Sequence, residues 1–217
     1  SRGLGDVYKR QDVYYIGNQE MARVRKGEIT FYNLDGDEIE KELKTVEWDA
    51  EAAEKAGYEH FMIKEIHEQP KAVSDTLNSV VKDGAIDLSE VGLSEEEIKE
   101  ISQIYIVACG SAYHVGVAAQ YVMEDLARIP VRVELASEFR YRNPILDPKG
   151  LVIIISQSGE TADSLAALRE SKKQGVKTLG IVNVIGSSIA READNVFYTL
   201  AGPEIAVATT KAYSTQL

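Results

Sequence analysis

The sequence predicts a doubly wound α/β domain over residues 101–217, a five-stranded parallel sheet in strand order 2-1-3-4-5, preceded by a small β-rich segment and a helical linker. Two observations carry this. After Ile101, short apolar runs at 104–108, 131–135, 151–155, 178–184 and 196–200 alternate with helical patterns, which is the rhythm of βαβ units. The run Leu151-Val152-Ile153-Ile154-Ile155 shows no apolar–polar alternation, as expected of a parallel strand covered on both faces.

The elements follow in chain order. Residues 1–11 have neither the apolar stretch of a secretory signal nor any periodicity, and are expected to be a foreign or disordered end. Residues 12–58 carry β-rich runs at 13–16, 22–24 and 29–32, and Asp35-Gly36 before Ile39 signals a hairpin. So few strands bury too little to stand alone, so this segment is expected to be the remnant of a domain whose body lies elsewhere. Over residues 59–100, Phe61, Ile66, Val73, Leu77 and Val80 keep a helical spacing. Pro70 is expected to end one helix or open the next, Asp83-Gly84 to stop it, and Ser94 with Glu97 to form a capping box. Beyond the first strand a helix is expected with Val115, Ala119, Val122 and Leu126 on its buried stripe. Later helices are expected at 160–173, stopped by Gly175, at 187–193, and from near Ala206 to the last residue.

Composition narrows the function. A net charge of −11 repels nucleic acid, and acidic side chains are spread along the chain rather than gathered in one tail. The same field opposes an anionic metabolite, so an anion site would rest on main-chain dipoles and hydroxyls. No apolar run approaches the roughly 20 residues of a membrane helix. The single cysteine, Cys109, permits neither an internal disulfide nor a thiolate metal cage, which favours the cytoplasm.

Ligands of doubly wound sheets bind beyond the carboxyl ends of the strands, at the switch between the first and third. There the chain reads Ser156-Gln157-Ser158-Gly159-Glu160-Thr161, opening into a helix whose unpaired N–H groups can hold an anion. Cys109-Gly110-Ser111 occupies the equivalent place after the first strand. Glu204 to Lys211, rich in small residues, follows the fifth. Each has a bland alternative. Ser158 and Thr161 could merely cap their helix, Cys109 could be a small buried hydrophobe, and Lys211 a structural lysine. His60, His67 and His114 lack metal-ligand spacing and are read as non-catalytic.

With these residues in view, the chain resembles the glutamine–fructose-6-phosphate aminotransferase family. The Ser156–Thr161 loop, Glu138-Phe139-Arg140-Tyr141-Arg142, the segment 183–187 and the segment 204–217 are similar to the first sugar isomerase (SIS) domain of that family, with its flavodoxin-like order. Lys64-Glu65-Ile66-His67-Glu68-Gln69-Pro70 resembles the junction after its glutaminase domain. The resemblance implies that residues 12–58 end a glutaminase domain and that residues 101–217 are a first SIS domain truncated at its last helix. It implies conversion of fructose 6-phosphate and glutamine to glucosamine 6-phosphate, with no metal, nucleotide or pyridoxal cofactor. The implied partners are the sugar phosphate, a second SIS domain and the glutaminase domain, in a homodimer.

It further implies that Ser156, Gln157, Ser158 and Thr161 hold the phosphate, that Cys109, Gly110 and Ser111 line the same pocket, and that Val207 and Thr209 approach the sugar. The family's proton-moving glutamate, Schiff-base lysine and ring-opening histidine belong to the second SIS domain, so the chain is expected to bind the sugar phosphate without turning it over. Two departures stand out: Ala112 replaces a family serine, and Thr209 stands where serine is frequent. Two other readings remain open. One is a non-catalytic sugar-phosphate sensor, although a DNA-reading partner would call for a basic recognition helix. The other is a related sugar-phosphate isomerase or deglycase.

Overall fold

The structure is a computed structural model that describes residues 12–45 and 54–217. The foreign or disordered end expected over residues 1–11 lies outside the described residues, as does part of the acidic stretch around residue 50. The chain divides into two units, one ending at Ala56 and the other beginning at Gly57.

In the first unit, β1 (Asp12–Val13) pairs antiparallel with β5 (Lys44–Thr45), while β2 (Met21–Arg25), β3 (Glu28–Tyr32) and β4 (Glu38–Ile39) form an antiparallel meander. The expected hairpin turn is present. Asn33 N–H donates to the Asp37 carbonyl at 3.0 Å, and its side-chain oxygen accepts Asp37 N–H at 2.8 Å. The first strand stops at Val13 rather than continuing to Ile16, as Tyr14 turns its ring onto Phe31, with centroids 4.9 Å apart.

The second unit begins with α1 (Phe61–Asn78), a hairpin of β6 (Val81–Lys82) and β7 (Ala85–Ile86), and α2 (Glu95–Glu100). Three expectations need correcting here. Pro70 lies inside one continuous helix. Its ring nitrogen cannot donate to the Ile66 carbonyl, but the Gln69 side-chain amide does so at 3.1 Å, restoring the missing bond. Asp83-Gly84 does not stop this helix. Both residues have positive φ and form the two-residue turn between β6 and β7. Ile66, Val73 and Leu77 are exposed, and the buried positions of α1 are Lys64, Glu65, Ala72 and Thr76. The capping box of α2 is formed as expected, with Ser94 and Glu97 satisfying each other's backbone N–H.

The rest is the α/β unit: β8 (Gln103–Ala108), α3 (Gly110–Ala127), β9 (Val131–Leu135), α4 (Ala136–Phe139), β10 (Gly150–Ser156), α5 (Ala162–Lys173), β11 (Lys177–Val182), α6 (Ser188–Glu192), β12 (Asn195–Tyr198) and α7 (Lys211–Gln216). The sheet runs β12-β11-β10-β8-β9 with every pairing parallel, which is the predicted order. All seven residues of β10 are buried. Alternate residues serve two cores. Tyr105, Val107, Val152 and Ile154 pack with Phe139, Leu168 and Ile189, while Ile104, Ile106, Ala108, Ile153 and Ile155 pack with Val115 and Tyr213.

Helix α3 approaches the sheet closely. A Cβ on Gly116 would stand 2.8 Å from Ile106 Cγ2 and 2.9 Å from Val133 Cγ1, so only glycine fits this approach unshifted. The helix buries Val115 and packs Met123 inward, whereas Val122 and Leu126 of the expected stripe are exposed. The last helix also starts later than expected, at Lys211 instead of near Ala206, after an irregular segment whose backbone donors are taken by side chains. Among the described residues no helix is long and apolar enough to cross a membrane.

Candidate functional site

The site follows from strand register. In the parallel pairing of β8 with β10, Ala108 lies beside Ile155, so the two strands end side by side. β9 lies on one side of this pair and β11 on the other, which makes the gap between β8 and β10 the switch point of the sheet. The turn at 109–111 and the loop at 157–161 leave from these ends and face one cavity of about 230 Å³.

That cavity is lined by Cys109, Ser111, Ala112, Ile155, Ser156, Gln157, Ser158, Thr161, Thr209 and Gln216. Seven of the nine residues singled out from sequence therefore meet in it. Gly110 lies between two of them, at the first position of α3. Val207 does not join them: it is fully exposed on the irregular segment before α7. Ile155 and Gln216 were missed. A helix begun near Ala206 would have carried Gln216 to another place along its axis, so no sequence signal marked it.

The serine-rich loop is held from within and from behind. Ser156 and Thr161 share a hydrogen bond between hydroxyls at 3.0 Å, and Gly159 N–H donates to Ser156 Oγ at 3.1 Å. From the segment after β11, Asn183 N–H donates to the Gln157 carbonyl at 3.1 Å and Ile189 N–H to that of Gly159 at 3.0 Å. The capping box allowed for Ser158 and Thr161 is not formed. Thr161 is the N-cap residue of α5 without a side-chain cap, and Ser158 Oγ instead accepts Glu160 N–H at 3.2 Å. Gly159 needs its freedom: it has φ +66°, and a Cβ there would fall 2.0 Å from Ser187 Oγ.

Neither α3 nor α5 carries a side-chain cap at its N-terminus, in contrast to α2. Their first N–H groups and the positive ends of two helix dipoles thus border the cavity. Its lining holds no carboxylate, imidazole or amine. Cys109 is the N-cap residue of α3, and its sulfur accepts a weak bond from Ser164 of α5 at 3.9 Å. The arginines of the 138–142 segment are engaged away from the cavity. Arg140 donates to Asp163 at 2.7 Å, a bond that raises its already high pKa, and Arg142 pairs with Glu134.

The segment after β12 closes one side. Thr209 donates its hydroxyl to Glu204 at 2.7 Å, and the same carboxylate accepts the N–H groups of Thr210 and Ala212. With its proton committed, Thr209 Oγ1 can only accept from a ligand. Lys211 is buried and paired with Glu68 at 2.7 Å, as a structural lysine would be. The histidines lie apart: His60 meets Glu59, His67 stacks with Tyr58, and His114 lies edge-on to Tyr113. Among the described residues no group of three or more His, Cys, Asp or Glu is arranged to hold a metal ion.

Comparison with known proteins decides the family. The model of the SIS domain matches residues 97–217, more than half of the chain. The chain belongs to the SIS domain family. Within it, the chain is 56% identical over 208 residues to glutamine–fructose-6-phosphate aminotransferase [isomerizing] of Clostridium acetobutylicum, a match covering 95% of this chain and 34% of that protein. The protein of the same name from Caldanaerobacter subterraneus is likewise 56% identical over the same length. Among solved structures, the C-terminal domain of glucosamine-fructose-6-phosphate aminotransferase from Francisella tularensis superposes with a TM-score of 0.72 at 49% identity, covering 75% of this SIS chain and 46% of that one. The chain thus spans about a third of the length of the curated relatives it matches.

Proposed function

We propose that the chain is the sugar-phosphate-binding part of a glutamine–fructose-6-phosphate aminotransferase, taking fructose 6-phosphate toward glucosamine 6-phosphate with nitrogen from glutamine. The observation that carries this is the neutral, hydroxyl-rich cavity between the ends of β8 and β10, bordered by two uncapped helix N-termini. A phosphate dianion offers only acceptors. Main-chain N–H groups, the Ser158 hydroxyl and the one proton that the Ser156–Thr161 hydroxyl pair does not spend internally supply donors without a cation. Gln157 adds an amide, and the turn Cys109-Gly110-Ser111 closes the other side. Backbone N–H groups of the α3 start stand in for the hydroxyl that Ala112 lacks.

The rest of the ligand then extends toward Thr209. Because Thr209 Oγ1 gives its proton to Glu204, it suits a sugar hydroxyl rather than a phosphate oxygen. Moving a proton between sugar carbons requires an acid or base within hydrogen-bond reach, and the cavity lining supplies none. In this reading these residues bind and orient, and proton transfer falls to groups outside the lining, in a second SIS domain and a dimeric enzyme.

Calorimetric titration tests the proposal. Fructose 6-phosphate and glucosamine 6-phosphate are expected to bind and unphosphorylated fructose not to, with Ser158→Ala weakening both phosphorylated ligands by about tenfold. Equal affinity for fructose and its phosphate would refute it.

A further inference from the structure

The face that α1 turns inward is polar. Lys64, Glu65, Glu68, Gln69, Ala72 and Thr76 follow the three- and four-residue spacing of one helix face, yet only Ala72 among them is apolar. Polar groups are tolerated inside where they are hydrogen-bonded, and four of these meet residues 200–214. Glu65, 2% exposed, accepts Ile205 N–H at 2.6 Å and Ala206 N–H at 3.1 Å on Oε1, and the Ala206 N–H also reaches Oε2 at 3.3 Å. Thr76 accepts Leu200 N–H at 2.9 Å. Glu68 accepts the Lys211 amine at 2.7 Å, and Gln69 the Ser214 hydroxyl at 2.5 Å. The segment between β12 and α7 has no regular structure of its own, so its part-buried N–H groups depend on such acceptors.

This segment also carries Thr209 into the cavity. Glu204, which takes the Thr209 hydroxyl, immediately precedes Ile205. Two carboxylates therefore act in series: Glu65 holds the backbone at 205–206, and Glu204 holds 209–212 from the next residue.

We infer that Glu65 is a positioning residue for the ligand's sugar end: with Thr76, it fixes the segment before α7 so that Thr209 is presented to the cavity. The inference rests on the sugar-phosphate reading and deepens it, because it makes sugar recognition depend on a helix that lies before the region matched by the SIS model. The phosphate end rests mainly on other bonds and meets the braced segment through the Asn183 side chain, which bonds Thr199, Ala201 and Gly202 upstream of the stretch that Glu65 holds. The loop at 156–161 is held instead by Asn183, Ile189 and Ser188.

Two substitutions separate the possibilities. Glu65→Met keeps length and removes the acceptor, whereas Glu65→Gln retains one carbonyl oxygen that both N–H groups can share. Affinity for fructose 6-phosphate and for inorganic phosphate is measured by calorimetry, and amide hydrogen exchange is followed at Ile205 and Ala206. In Glu65→Met we expect fructose 6-phosphate to bind about tenfold more weakly or worse, inorganic phosphate to bind as before, and both amides to exchange faster. Glu65→Gln should recover most of each. Undiminished fructose 6-phosphate affinity in Glu65→Met, or an equal loss for both ligands, overturns the inference. If Glu65→Met does not fold, Thr76→Val, which frees Leu200 N–H and removes the hydroxyl bond to the Ala72 carbonyl within α1, should show the same selective loss at smaller size, and an unchanged affinity there overturns it too. Should the unaltered chain bind neither ligand, the sugar-phosphate reading falls, and the exchange rates alone then judge the brace: unaltered exchange at Ile205 and Ala206 in the variant removes it.

Discussion

The carboxylate of Glu160 accepts both the backbone N–H and the hydroxyl of Ser188, each at 2.7 Å. This ties the exposed shoulder of the serine-rich loop to the start of α6, so the loop backbone is set before any ligand arrives. Preorganisation of this kind lowers the entropy cost of binding. Glu160→Ala is expected to weaken fructose 6-phosphate several-fold while lowering stability by only about 1 kcal/mol, because the lost bonds are solvent-exposed. Calorimetry alongside urea unfolding checks both halves.

Gly159→Ala should be far more damaging than its size implies. The position combines φ +66° with a Cβ that would lie 2.5 Å from that of Ser187. Relief requires the loop to move away from α6, which shifts Ser158 and Thr161 out of the cavity. A loss of about 1–3 kcal/mol in stability is expected, with phosphate binding no longer measurable. Wild-type affinity in the variant would show that the loop tolerates another backbone path.

Glu97 couples the α2 cap to pH. Its hydrogen bond with Lys177, then those with the N–H and hydroxyl of Ser94, lower its pKa from 4.5 to about 2. A carboxylate with a depressed folded-state pKa stabilises the fold fully above the unfolded value, and that stability drains as pH falls toward the folded value. Parent and Glu97→Gln chains should therefore differ in urea midpoint at neutral pH and converge between pH 4.5 and about 2. A gap that persists at the acid end would exclude this linkage.

Pro70→Ala should stabilise α1. Proline in a helix interior costs about 3 kcal/mol against alanine, and the Gln69 amide recovers only part of this through its bond to Ile66 O. A gain of about 1–2 kcal/mol is expected from thermal unfolding. No gain would mean that the Gln69 amide bond to Ile66 O offsets the whole cost of Pro70.

Some of this was legible in the residues alone. The apolar runs at 104–108 and 151–155 marked the two central strands because a parallel strand covered on both faces cannot hide its composition. The Asp-Gly and Ser-x-x-Glu patterns marked a hairpin and a cap because that chemistry is local. What misled was distant in sequence. Ile66, Val73 and Leu77 have a helical period, but they are not the buried face. That face is polar since its partners are the N–H groups of a segment more than a hundred residues downstream. Pro70 reads as a break only when the Gln69 side chain is left out of the account.

The sequence by itself determined the α/β alternation and the chemistry of the serine-rich loop, for these rest on backbone preferences and neighbouring residues; the strand order matches the one expected of a compact doubly wound unit, but it is a pairing of distant segments. Only the tertiary structure decided which residues share the cavity: that Gln216 enters it and Val207 does not, and that α1 braces the segment bearing Thr209. The physical reason is that an irregular segment has no hydrogen-bond pattern of its own. Its path is set by whichever distant side chains satisfy its N–H groups, and no local pattern encodes them.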